Sequence, residues 1–338
     1  MHTPSETARQ MVAPGKGILA MDESNATCNK RFASLGIEQS FELRRRYRQL
    51  LITTPGLSKF ASGAILYDET LRQTTDDGTP FPKVLEEVGI LPGIKVDTGA
   101  KTLAGHPGEK ITEGLDCLRD RLVEYAVLGA RFAKWRAVIA IGAGLPSRGC
   151  VEANSHALAR YAALCQRAGM TPIVEPEVLM DGDHGMEICK EVTLRVLDRV
   201  FVELRAQRVE LSGIVLKPNM VLPGSGSGEQ PSPDEVARAT VESLAEVVPP
   251  AVPGIAFLSG GQSDEEATVR LNAMNRLFPD ASWALTFSYG RALQRSALET
   301  WGGESSRVEE AQRRLLHRAR VNAAASRGSY EPSMEEAA

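Results

Sequence analysis

Gly213-Ile-Val-Leu-Lys-Pro-Asn219 is a short apolar run entered through a glycine and closed by a lysine, a proline and an asparagine. Such a run reads as a strand buried on both faces, because an exposed strand would alternate apolar and polar side chains. Seven further runs share the outline: Gly17-Ile-Leu-Ala-Met21, Gly63-Ala-Ile-Leu-Tyr67, Gly93-Ile-Lys-Val-Asp97, Phe132-Ala-Lys-Trp-Arg-Ala-Val138, Pro172-Ile-Val-Glu-Pro-Glu177, Gly254-Ile-Ala-Phe-Leu258 and Ala284-Leu-Thr-Phe-Ser288. Helix-like stretches separate them, and three carry start signals: Thr3-Pro4 with Glu6, Ser232-Pro233 with Glu235, and Ser263 with Glu266. Each pairs a capping hydroxyl with an acid three residues on. Eight buried strands joined by crossover helices predict an α/β fold, a single (β/α)8 TIM barrel, with an open doubly wound sheet as the alternative.

No stretch between the strands has the composition of an interdomain linker, so one domain is expected over residues 1–338. Gly224-Ser-Gly-Ser-Gly228 fits a mobile loop after the sixth strand, and the polar stretch from about residue 326 fits a loosely held tail.

Composition narrows the function. The 338 residues are 43% hydrophobic and 24% charged, with a formal net charge of -4. That balance argues against a sequence-independent grip on nucleic acid, which needs a clustered basic excess. No run approaches the ~20 apolar residues of a membrane span, and the start reads as neither a signal nor an anchor, so a cytoplasmic protein is expected. Five cysteines form no C-x-x-C pair and five histidines are scattered, so neither a disulfide framework nor a metal site is expected. Asp181-Gly-Asp-His184 lacks the spacing and closing glutamate of a calcium loop and reads as a polar turn.

The chemistry collects at the ends of the strands, where barrels of this kind build their sites. Asp22-Glu23-Ser24, Lys95-Val-Asp97, Lys134-Trp-Arg136, Glu175-Pro-Glu177, Lys217-Pro-Asn219, Ser259-Gly-Gly261 and Ser288-Tyr-Gly-Arg291 close seven of the runs. Residues two apart share a strand face, so Lys95 with Asp97, Lys134 with Arg136, and Glu175 with Glu177 are same-face pairs. Pro176 and Pro218, which cannot donate to a central ladder, are expected to mark strand ends. Desolvating so many charges is costly unless they are paired or used. A lysine at the end of an apolar strand, beside Lys134 and Arg136, is expected to have lowered basicity and to act as a Schiff-base nucleophile; an ion pair with Glu175 or Glu177 is the alternative reading of Lys217. The amides of Ser259-Gly260-Gly261 and Tyr289-Gly290, with Arg291, fit a phosphate site formed by the last two strand ends. Ser24, Thr27, Lys30, Arg31 and Lys95 fit a second. Two anion sites flanking a lysine imply a substrate phosphorylated at both ends.

At these residues the chain closely resembles the class I fructose-1,6-bisphosphate aldolases. The matching stretches are Ala13-Pro-Gly-Lys-Gly-Ile-Leu-Ala20, Met21-Asp-Glu-Ser24, Gly93-Ile-Lys-Val-Asp97, Phe132-Ala-Lys-Trp-Arg136, Ile173-Val-Glu-Pro-Glu177, Leu216-Lys-Pro-Asn-Met220, Phe257-Leu-Ser-Gly-Gly-Gln-Ser263 and Ala284-Leu-Thr-Phe-Ser-Tyr-Gly-Arg-Ala-Leu293, in order along nearly the whole chain. The resemblance implies that Lys217 forms an imine with the ketone carbon of a sugar phosphate and that Glu175 is general acid and base for making and hydrolysing it. Asp22 would take the proton of the hydroxyl next to the scissile bond, Lys134 would tune the charge, and Glu177 and Arg136 would support the network. Ser259, Gly260, Gly290 and Arg291 resemble the ketone-end phosphate site, and Ser24, Thr27 and Lys95 the distal one. No cofactor or metal is implied, and a homotetramer is.

The chain departs from the family pattern at Ser24-Asn-Ala-Thr27, which implies an altered distal phosphate site. It departs again at the end: its last tyrosine is Tyr330, where family members commonly end in a tyrosine that assists proton exchange. A related lyase preferring fructose 1-phosphate, and a sugar-phosphate-binding or cytoskeletal scaffold without catalysis, are the competing readings.

Overall fold

The computed structural model describes residues 3–337, so the outermost residues of the expected 1–338 domain lie outside it. The strands, in chain order, are β1 (Gly17–Ala20), β2 (Ala61–Leu66), β3 (Leu91–Lys95), β4 (Gly99–Thr102), β5 (Lys110–Glu113), β6 (Phe132–Ile139), β7 (Thr171–Val178), β8 (Val215–Leu216), β9 (Gly254–Phe257) and β10 (Ala284–Tyr289). Eight of them close a parallel barrel in the order β1-β2-β3-β6-β7-β8-β9-β10, which settles the choice between barrel and open sheet. The remaining pair, β4 and β5, is an antiparallel hairpin inserted after β3 that the apolar-run pattern did not predict. Its side chains are mostly exposed, so it carries no core signature.

The helices are α1 (Pro4–Met11), α2 (Asn25–Ser34), α3 (Phe41–Ile52), α4 (Asp68–Leu71), α5 (Phe81–Glu87), α6 (Leu118–Val127), α7 (Arg148–Arg167), α8 (Met186–Ala206), α9 (Pro233–Val247), α10 (Asp264–Leu277), α11 (Arg291–Trp301) and α12 (Val308–Ala325). All three sequence-predicted helix starts are capping boxes, opening α1, α9 and α10.

The lower barrel interior is filled by Ile18, Ala20, Ile65, Phe132, Ile173, Val215 and Ala256, and α1 closes it from below with Ala8 and Met11. Here the glycines at strand starts have a steric purpose. A Cβ on Gly93 would lie 2.2 Å from the Phe132 ring, and one on Gly254 would lie 2.7 Å from Val12. The missing Cβ of Gly93 lets Phe132 fill the bottom of the barrel, and that of Gly254 makes room for Val12.

Three expectations differ from the structure. Pro176 lies inside β7, which continues to Val178. The Val174 carbonyl accepts from the Lys217 amide of the neighbouring β8. By strand parity Pro176 faces that side too, and the β7–β8 ladder has already ended at Val174 and Leu216. The missing N–H therefore costs no ladder bond, and β7 carries Glu175 and Glu177 further into the mouth. The Gly224–Gly228 stretch, read as mobile, is tethered: the amides of Gly224, Ser225 and Gly226 donate to the carbonyls of His184, Met180 and Gly182. The stretch from residue 326, read as loosely held, is docked. Tyr330 is buried, its amide donates to Asn272 Oδ1 at 3.0 Å, and Glu335 accepts from Arg318 at 2.6 and 2.7 Å and from the Tyr330 hydroxyl at 3.2 Å. One aromatic anchor and a carboxylate seated on a buried guanidinium outweigh the polar composition around them.

Candidate active site

Two residues above Ile173 and Val215 the interior changes from apolar to charged. Alternation along β6 and β7 and past β8 sends Lys134, Glu175 and Lys217 inward on the same faces as Phe132, Ile173 and Val215. All three are buried, at 3%, 3% and 4% exposure, so their charges must be matched locally. Lys217 Nζ lies 3.1 Å from Glu175 Oε1, and Lys134 Nζ lies 3.1 Å from the other oxygen of the same carboxylate and 2.7 Å from Asp22 Oδ2. One carboxylate is thus shared between two ammonium groups. Lys217 has no carboxylate to itself, so the ion-pair reading and the nucleophile reading coexist in this geometry.

The charges of the cluster are held firmly. Burial pushes the Asp22 carboxyl up, but Lys134, Lys217 and Lys95 outweigh it and hold it well below the usual carboxylate range. Burial likewise raises Glu175, and Lys134, Lys217 and Arg136 turn the net shift downward. Lys134 is driven the other way: desolvation lowers it, while Asp22, Glu175 and Asp97 make it a stronger base overall. Glu175 is therefore ionised at rest, and Lys134 stays charged between the two acids.

Thirteen of the sequence-predicted site residues line one cavity of about 910 Å³ at this end of the barrel, Asp22, Ser24, Thr27, Lys95, Lys134, Arg136, Glu175, Glu177, Lys217, Ser259, Gly260, Gly290 and Arg291, whereas Gly261 and Tyr289 do not. Their local partners differ. Lys95 is tied to Asp97, with Nζ 2.6 Å from Oδ1 and 2.9 Å from the carbonyl. Arg136 pairs with Glu177 at the rim. Ser24 caps α2, accepting from the Thr27 amide at 3.3 Å, and the two hydroxyls lie 3.1 Å apart. Arg291, beside Gly260, donates to its carbonyl at 2.6 Å. Burial, Arg31 and Arg295 lower the basicity of Arg291, as expected of a cation placed among cations where an anion would relieve the repulsion.

Two features escaped the sequence. Glu23 is clamped by Arg31 at 2.5 Å and by the buried Arg48 at 2.8 Å, a network joining β1 to α2 and α3 that holds the adjoining Asp22. Arg48 lies mid-helix among other arginines, where spacing gives no hint that it points inward. Ser288 is 1% exposed, lines the cavity, and its hydroxyl has no partner among the described residues. Its place two residues before Gly290 was the available signal. Among the described residues no group of three His, Cys, Asp or Glu is placed to hold a metal ion, and all five cysteines are free.

Comparison with known proteins places the chain in one family. The family described as fructose-bisphosphate aldolase class-I matches residues 4–338. The chain is 56% identical to a probable fructose-bisphosphate aldolase class 1 of Xanthomonas campestris, over 97% of this chain and 98% of that one. It is 53% identical to the cytosolic fructose-bisphosphate aldolase 4 of Arabidopsis thaliana, over 94% and 81%. Its structure superposes with a TM-score of 0.96 and 48% identity on the fructose-bisphosphate aldolase of Plasmodium falciparum, solved in complex with TRAP and a small-molecule inhibitor, over 97% and 95% of the two chains. The chain belongs to the class I fructose-bisphosphate aldolase family, lyases of glycolysis and gluconeogenesis that reversibly cleave fructose 1,6-bisphosphate to dihydroxyacetone phosphate and glyceraldehyde 3-phosphate through a lysine Schiff base.

Proposed function

We propose that Lys217 is the imine-forming residue and that Glu175, Asp22 and Lys134 handle the protons and charge around it. The observation that carries this reading is the sharing of the Glu175 carboxylate between Lys217 and Lys134, with Asp22 on the far side of Lys134. An ionised Glu175 takes a proton from the Lys217 ammonium, and the free amine attacks the ketone carbon of the substrate. Glu175 then returns a proton to the departing hydroxyl, water leaves, and a protonated imine remains. Asp22 accepts the proton of the hydroxyl beside the scissile bond. As that oxygen becomes an aldehyde, the carbon–carbon bond breaks and its electron pair moves onto the imine as an enamine. The positive imine is the electron sink, and Lys134 keeps Asp22 and Glu175 ionised.

Ser259, Gly260, Gly290 and Arg291 hold the ketone-end phosphate, while Ser24, Thr27 and Lys95 serve the distal one. Glu177 and Arg136 brace the rim. The chain acts as one domain in the cytoplasm, assembles as a homotetramer, and takes a small sugar phosphate rather than nucleic acid; no helix among the described residues is long and apolar enough to cross a membrane. The test is Lys217→Met. Cleavage of fructose 1,6-bisphosphate should be abolished with the fold intact, and retained cleavage would reassign the nucleophile.

A further inference from the structure

The turn after β9 offers several backbone amides, and the bonds around it decide which of them can face an anion. The Leu258 amide donates to the Pro218 carbonyl at 3.1 Å. The Gln262 amide and side chain both donate to the Ser259 carbonyl, at 3.1 and 3.0 Å, and Arg291 takes the Gly260 carbonyl. The Gly261 amide donates to the thioether sulfur of Met180 at 3.1 Å. Among the described residues no protein acceptor takes the amides of Ser259 and Gly260, at a turn whose Gly260 has φ +54°.

Met180 is itself fixed from both sides. The preceding Leu179 amide donates to the Ile139 carbonyl at 2.9 Å, and the Met180 carbonyl accepts from Ser225 at 2.8 Å. Contact with the turn is close enough to exclude a side chain, since a Cβ on Gly261 would come within 2.8 Å of the sulfur. The end of β7, the Gly-Ser stretch after β8 and the turn after β9 therefore meet at Met180, the stretch through its carbonyl and the turn through its sulfur.

Resting on the assignment of this turn to the ketone-end phosphate, we infer that Met180 is a positioning residue for phosphate binding. By holding the Gly261 amide, its sulfur orients the turn so that the Ser259 and Gly260 amides face the anion. Nothing in the chemistry of the imine requires a thioether at this place, so the effect belongs to binding and not to the rate of bond cleavage.

Two substitutions separate the sulfur's acceptor role from its bulk. Met180→Leu keeps the volume and removes the acceptor, while Met180→Gln supplies a carbonyl acceptor on a side chain of similar reach. Met180→Leu should raise KM for fructose 1,6-bisphosphate and the dissociation constant of inorganic phosphate by about fivefold each, as loss of one modest hydrogen bond would, with kcat within about twofold of the parent. Met180→Gln should restore both to within about twofold. Unchanged KM and phosphate affinity in Met180→Leu, or equal losses in the two variants, would overturn the inference. Arg291→Ala, measured with inorganic phosphate alone, separates two kinds of failure. Affinity that survives Arg291→Ala means the turn is not the anion site, and the inference falls with its premise. Affinity lost there but kept in Met180→Leu refutes Met180 alone.

Discussion

At the level of Ile173 and Val215 and below, the barrel interior is apolar and tightly filled, whereas one strand layer higher Lys134, Glu175 and Lys217 occupy the same inward faces of the same β segments. The lower layer is stabilised by burial of apolar surface, with Phe132 seated in space left by Gly93. The upper layer buries charges that merely compensate one another, an arrangement that packed apolar residues would often replace without loss of stability. The contrast teaches that the lower half supplies stability and the upper half supplies chemistry. Substitutions in the two halves should therefore produce opposite signatures.

The largest expected effect is in the upper half. Glu175→Gln should slow imine formation and lower kcat per folded molecule on the order of 1,000-fold, because a positioned acid and base is lost. A normal single-turnover rate of imine formation would move the acid to another residue. In the lower half, Phe132→Ala should cost about 3–5 kcal/mol in chemical denaturation while kcat per folded molecule stays near the parent value. A large fall in kcat without loss of stability would erase the distinction between the halves. Smaller still, Gly93→Ala should cost about 1–3 kcal/mol, since its Cβ would meet the Phe132 ring at 2.2 Å. No loss would show that Phe132 can move aside.

The smallest effect concerns pH. Asp22 and Glu175 are held below their ordinary values, so their contribution to stability is present above the unfolded carboxylate range and is lost as pH falls through the lower folded values. Lys134 is raised, so its contribution is present below its unfolded value and disappears only as pH rises through the folded one. Asp22→Asn should therefore flatten the acid side of the curve of melting temperature against pH. Parallel curves for parent and variant would contradict the assigned shift.

The barrel and its mouth were legible in the sequence because burial on both faces writes continuous apolar runs and because charges at strand ends interrupt them conspicuously. Lys217 stood out for that reason, between Leu216 and Pro218. What was not legible lacks such a signature. The β4–β5 hairpin is exposed and polar, and the docked tail depends on Glu335 folding back onto Arg318 of α12. Pro176 misled because the strand-end rule assumes a neighbour on both sides, and β8 had already stopped. Met180 was invisible because its value lies in one contact with Gly261, 81 residues away in sequence.

Lys217 as the nucleophile is tested most directly by trapping. The protein is incubated with dihydroxyacetone phosphate, reduced with borohydride, and the adduct is mapped by mass spectrometry. A single stable adduct on Lys217, absent in Lys217→Met, is the expected result. An adduct on Lys134 or Lys95 instead, or none anywhere in the chain, would contradict it.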